Sequence, residues 1–161
     1  MTNDAGARAL LRHVVATIAY RGGKALRGAQ PGFGEFRAGP GSRSAVEILG
    51  HVGDLFEWAI HLAAGEHVWD EAGSRDWDGE VERFFDGMGR LDAVLGSSTP
   101  LECSEERLFQ GPFADALTHI GQIALLRRLH GAPVRGENYF KADVVSGRVG
   151  PDQAPPRREF D

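Results

Sequence analysis

The stretch from Gly111 to Gly131, GPFADALTHIGQIALLRRLHG, leaves few folds open. It reads as one long helix, introduced by Gly-Pro and stopped by a glycine. At about 100° per residue its apolar side chains do not keep to one stripe. Phe113, Leu117, Ile120 and Ala124 cover one side, Leu126 and Leu129 nearly the opposite side, and Ile123 lies between. A helix apolar on most sides belongs inside a cluster of helices. Asp115, His119 and Gln122 break the pattern. Their spacings of four and three place them on one stripe, which continues into Leu126 and Leu129. A carboxylate on such a face is costly unless it is paired or bound to a metal. A plain Asp-His pair one turn apart, or an Asp favoured by the helix dipole, is the simpler alternative.

The rest of the chain supplies partners for this helix. Residues from about Ala5 to Arg27 read as a first helix, with Leu10, Leu11, Val14, Val15 and Ile18 at helical spacing. Residues 28–42 are rich in Gly and Pro and form a long loop, a kind often functional in compact domains. Ser44 and Glu47 make a capping box, S-x-x-E, ahead of a second helix that runs to about Ala64. Its inward face is Ile48, Leu55, Ala59 and Leu62, widened by Leu49, Val52 and Phe56, with His51 at the edge. Glu47 reads as the cap and Asp54 as a solvated edge. A turn-rich stretch with Trp69 and Trp77 leads to a third helix from about Glu80 to Leu95. Gly87 and Gly89 weaken that helix and allow close packing. The tail from Ala132 to Asp161 is irregular, and its first half is expected to lie across the helices.

Four amphipathic helices and no convincing strand predict an all-α fold, a four-helix bundle in a single domain spanning 1–161. Bundles build metal and ligand sites from inward side chains on facing helices. The inward polar candidates are His51 on the second helix and Asp115 with His119 on the fourth. Two neutral imidazoles and a carboxylate can hold one divalent ion and leave positions open, as catalytic rather than structural sites do. Gln122 is a candidate for hydrogen bonding to a ligand or to a group on the metal.

Several classes are set aside on composition. With 161 residues, a formal charge of −5 and scattered basic residues, the chain lacks the cationic stripe of a nucleic-acid binder. It has no apolar run of about eighteen residues, so no membrane span is expected. Its N-terminal residues do not read as a signal peptide. The single cysteine, Cys103, fits a reducing cytoplasm and has no basic neighbour to activate it. His61, His67 and His130 are expected to face water, and His13 to be at most a displaced ligand. Arg127 and Arg128 read as solvated, or paired with an acid at a helix interface.

The segments SAVEILGHVGDLFEWA and ADALTHIGQIALLRRLHG resemble the DinB/YfiT-like superfamily of bacterial metalloenzymes, and the resemblance covers essentially the whole chain. That family has one His on the second helix and H-x-x-x-H on the fourth, followed by Gln three residues on. His51, His119 and Gln122 match, and Asp115 stands where the first His of the pair is usual. The resemblance implies a bundle of variant up-and-down topology, a divalent metal on His51, Asp115 and His119, and a homodimer. It also implies thiol-dependent chemistry: S-transfer from a low-molecular-weight thiol to an electrophilic small molecule, or isomerisation. The carboxylate leaves Zn, Ni, Mn or Fe open as the metal, with Zn or Ni first. A non-catalytic bundle that binds a metal or small ligand is the alternative function.

Overall fold

The computed structural model describes residues 2–73 and 75–161, without the side chains of residues 2–5. It is mainly helical. The long helices are α1 (Thr2–Leu26), α2 (Ala45–Ala63), α3 (Trp77–Gly96) and α5 (Ala114–Leu129), with a short α4 (Glu105–Leu108) before α5. The strands β1 (Gly136–Glu137) and β2 (Glu159–Phe160) form one small antiparallel pair. Helix α2 packs on α3 and α5, and so does α1, which places α1 and α2 on one diagonal and α3 and α5 on the other.

Helices α2, α3 and α4 start where the sequence provides a cap. Ser44 caps α2, and the capping box with Glu47 is complete in both directions. Its N–H groups at Ala45 and Val46 donate to the carbonyls of Phe36 and Gly34 in the preceding loop. That loop therefore satisfies donors a helix start otherwise leaves open. Arg37 stitches it further, bonding the Ser42 carbonyl and the Glu47 carboxylate. Phe33 is fully buried beneath it, edge-on to Trp77. Residues 28–42 are thus an ordered strap against the start of α2. Helix α3 begins at Trp77, capped by Asp76, three residues earlier than the periodicity indicates. Gly87 does permit close approach, since a Cβ there would stand 3.0 Å from the Phe56 ring, whereas Gly89 faces open space.

The core is continuous, from Val15 and Ile18 on α1 through Leu49, Val52 and Phe56 on α2 to Phe84, Met88 and Leu91 on α3 and Phe113, Ala116 and Ile123 near and on α5. Each of these side chains larger than alanine contributes about 1.5–3 kcal/mol on burial.

Four expectations are corrected. The fourth helix begins earlier and is not uniform: Glu105–Leu108 leads through a π-helical turn, Phe109–Phe113, into α5. Pro112 lies inside that turn and has no N–H for a regular helical bond. Leu129 is exposed, so the core stripe of α5 ends at Leu126. Arg127 is buried without an acid. It donates to the carbonyls of Ala25, Arg27, Gly28 and Ala132, and so ties the end of α1 to the end of α5. His130 does not face water: it is half-buried, its ring packs against Phe33 and Phe36, and its Nδ1 has no hydrogen-bond partner.

The tail is held to α1 by charge. Glu137 is buried and accepts from Tyr20 and Lys24, and Lys24 also reaches Glu159. No helix among the described residues is long and apolar enough to cross a membrane.

Candidate metal centre

His51 sits on α2 in line with Ile48 and Leu55, whose side chains are core. Asp115 and His119 sit one turn apart on the first half of α5, flanked by the buried Ala116, Ile120 and Ile123. Because α2 packs on α5, the three side chains converge across the seam. His51 Nε2 lies 3.6 Å from Asp115 Oδ2, and His119 Nε2 lies 3.4 Å from Asp115 Oδ1. The two imidazole planes are nearly perpendicular, with centroids 4.8 Å apart. One ligand atom from each residue lies within 4.8 Å of the others.

These separations are longer than a good hydrogen bond between nitrogen and oxygen, which centres near about 2.9 Å. They are close to what a shared ion needs, and the three ligand atoms together lie within 4.8 Å of one another. Two ligands each about 2.0–2.1 Å from a tetrahedral metal stand roughly 3.3–3.4 Å apart. The donor set also fits, two imidazoles and one carboxylate. The group could therefore hold a metal ion.

The surroundings prepare the nitrogens for that role. The Nδ1 of His119 is 2.8 Å from Gln122 Oε1. With Nδ1–H donating to the amide oxygen, Nε2 is left as the free acceptor facing Asp115. Gln122 thus meets the His119 ring itself. His51 has its protonated form disfavoured by burial first, then by the nearby charges of His119 and Arg43, with Asp115 opposing them. Its neutral, metal-binding form is correspondingly favoured. The rings of His51 and His119 are 19 % and 14 % exposed, whereas Asp115 is 47 % exposed, so the triad opens to solvent on the carboxylate side.

Two clefts reach the triad, and their linings share no residue. One, of about 430 Å³, includes Arg37, Ser42, Arg43, His51, Asp54 and Glu71. The other, of about 410 Å³, is bounded by Trp58, Gln110, Gly111, Ala114, Asp115 and Thr118. Trp69 joins them from above: its ring is edge-on to His51 and to Trp58, each at 5.7 Å.

The loop that carries Trp69 is anchored from below by buried carboxylates. Asp54 accepts from the backbone N–H of Ala72, and Glu80 from that of Arg75. Asp54 is therefore not a solvated edge. It is buried, and it pairs with Arg83 of α3, which also bonds Glu80 and the Gly50 carbonyl. Gly53 makes this possible, since a Cβ there would meet the Arg83 guanidinium at 2.8 Å. Sequence reasoning missed this cluster, and the only signal was a second acid one turn after His51.

The remaining candidates stand apart from the site. His13 and His67 are exposed, and His61 pairs with Glu66 on the surface. Cys103 is half-buried against the core, with its thiol pushed up by burial and by Glu105, and so is an inert packing residue.

Comparison of the chain with protein-family models, with curated proteins and with solved structures finds no match.

Proposed function

We propose that the protein is a divalent-metal-dependent enzyme of the DinB-like kind, a thiol-dependent transferase acting on an electrophilic small molecule. One observation carries the reading: His51 and His119, from two helices, aim Nε2 atoms at the half-exposed carboxylate of Asp115 at metal-ligand spacing. Three protein ligands with an open side are the arrangement of a catalytic site. The four packed helices support the bundle of variant topology that the sequence resemblance implies. Zn or Ni is the proposed ion, ahead of Mn or Fe.

A bound divalent ion would act as a Lewis acid and lower the pKa of a thiol placed at its open position. The chain's own groups do the rest. Gln122 fixes the tautomer of His119, Asp115 supplies the charge two imidazoles lack, and Trp58 and Trp69 wall the approach. The clefts offer separate room for a thiol and for an electrophile.

A second reading, a binding bundle without catalysis, draws on a specific observation. Glu47 and Asp54, two of the carboxylates in the larger cleft, are committed to Arg37 and Arg83 and are poor candidates for a general base.

We place the protein in the cytoplasm as a homodimer. Exposed Leu10, Leu125, Leu129 and Phe140 supply apolar surface for pairing, and sedimentation at micromolar concentration reads the state directly. Metal analysis of the purified protein, followed by turnover of an electrophile with a small thiol, tests the enzyme reading. Stoichiometric metal with turnover supports the enzyme, and metal without turnover favours the binding bundle. Absence of metal returns Asp115 and His119 to a structural pair.

A further inference from the structure

The larger cleft contains a cation that the fold does not use. Of its two arginines, Arg37 is committed, bonding the Ser42 carbonyl and Glu47. Arg43 is exposed, and its side chain makes no hydrogen bond or ion pair among the described residues. It stands immediately before the cap of α2, and its charge is felt at His51 two turns on. The strap that carries it is fixed to α2 by the bonds from Ala45 and Val46 and by Arg37, so its place beside the triad is built into the fold.

The acids of the same lining are unequal. Glu47 is held by Arg37 and by the Ser44 N–H, and Asp54 by Arg83 and the Ala72 N–H. Glu71 alone makes no ion pair among the described residues, and it lies on the exposed loop after α2. A guanidinium left unpaired in a cleft that also contains a metal-ligand histidine suits a carboxylate, which it can grip with two parallel hydrogen bonds.

Building on the metal-site reading above, we infer that the cleft at His51 is a carboxylate subsite in which Arg43 holds an anionic group of a ligand whose donor atom reaches the ion. Arg43 gives the site a preference for acid-bearing substrates or thiols over neutral ones. Glu71 opposes a second negative charge and limits the ligand to one anionic group there.

The test uses the whole protein loaded with Co(II) and two thiol probes, 3-mercaptopropionate and 2-mercaptoethanol. Thiolate-to-cobalt absorption reads binding directly and needs no turnover. Wild type should bind the acid about tenfold more tightly than the alcohol, the worth of one charge-assisted hydrogen bond. Arg43→Ala should remove that preference, keep stoichiometric Co(II) binding and leave 2-mercaptoethanol affinity unchanged. Glu71→Gln should tighten the acid and not the alcohol. If Arg43→Ala retains the preference, it arises from chelation by the probe and the subsite is overturned. Equal affinities in wild type overturn it as well. Both results leave the metal centre standing. Failure of wild type to bind Co(II) at all overturns the metal-site reading, and the subsite falls with it. Arg43 has no structural bonds to lose, and unchanged circular dichroism of the variant checks that.

Discussion

Helix α2 carries two polar clusters three residues apart, and they are built on opposite rules. At the α2–α3 seam, Asp54 meets Arg83, with Glu80, the Gly50 carbonyl and the N–H groups of Ala72 and Arg75 completing the set. Every charge there is buried and answered within the protein. At the α2–α5 seam, His51 and His119 face Asp115 at 3.6 and 3.4 Å, beyond good hydrogen bonding, with the carboxylate half open to water. The first cluster is complete as it stands. The second is arranged around a gap. A polar group placed in a core for structure finds its partner at contact distance, and one placed for a ligand leaves room for it.

The largest expected effect breaks the complete cluster. Arg83→Ala leaves Asp54 and Glu80 buried without their cation and should cost about 3–5 kcal/mol in denaturant unfolding. At roughly 2–4 °C per kcal/mol, the melting temperature should fall by about 10 °C. His119→Ala in metal-free protein should cost only about 1 kcal/mol, because the one good bond lost, to Gln122, is exposed. Equal losses at the two sites would erase the contrast between them.

The next effect fills the gap. A divalent ion at a hundred times its Kd should stabilise wild type by about 2.7 kcal/mol. His51→Ala should remain folded, since Leu49, Val52 and Phe56 keep the core face of α2, and should gain nothing from the ion. Calorimetry checks both. Stabilisation of His51→Ala equal to that of wild type would place the ion elsewhere.

Smaller changes grade the ligands. Asp115→Asn should weaken the ion, while Asp115→His should retain it as a set of three imidazoles. Gln122→Ala leaves all three ligands but frees the His119 ring, and should cost about 10–100-fold in affinity. An Asp115→Asn protein that binds as tightly as wild type would remove Asp115 from the set.

The two clusters also differ in how far the sequence reveals them. His51, Asp115 and His119 are legible because each interrupts an apolar stripe of its own helix, a local signal. So is the cap at Ser44 and Glu47. The Asp54–Arg83 pair joins residues 29 positions apart on different helices, and neither breaks its own pattern. The same limit hides Arg127, three of whose carbonyl partners lie about a hundred positions away, and Glu137, whose partners lie on α1. The strap over 28–42 carries no periodicity, and its order comes from bonds to the next helix. The π-helical turn at Phe109–Phe113 was hidden because Gly-Pro at 111–112 reads as a helix start, whereas the chain is already helical from Glu105.

The smallest effect is a pH dependence that separates the seams without any ion. Burial and the charges of His119 and Arg43 hold the imidazolium of His51 below its ordinary range, near about 6.5 for an unfolded chain. Between that value and the depressed folded one, the unfolded state binds more protons than the folded state. Stability then rises with pH. The contribution of His51 is fully kept above about 6.5 and is lost as pH falls through the folded pKa. Metal-free wild type should therefore weaken on acidification through this window more than His51→Ala does. The Arg83→Ala protein should instead gain relative stability on acidification, because protons relieve the two buried carboxylates left without their cation. With the ion present the same protons compete for the ligand nitrogen, so the dependence should steepen in wild type and stay unchanged in His51→Ala. Denaturant midpoints measured from pH 5 to 8 on the three proteins decide it, and parallel curves for wild type and His51→Ala would remove His51 as the titrating group.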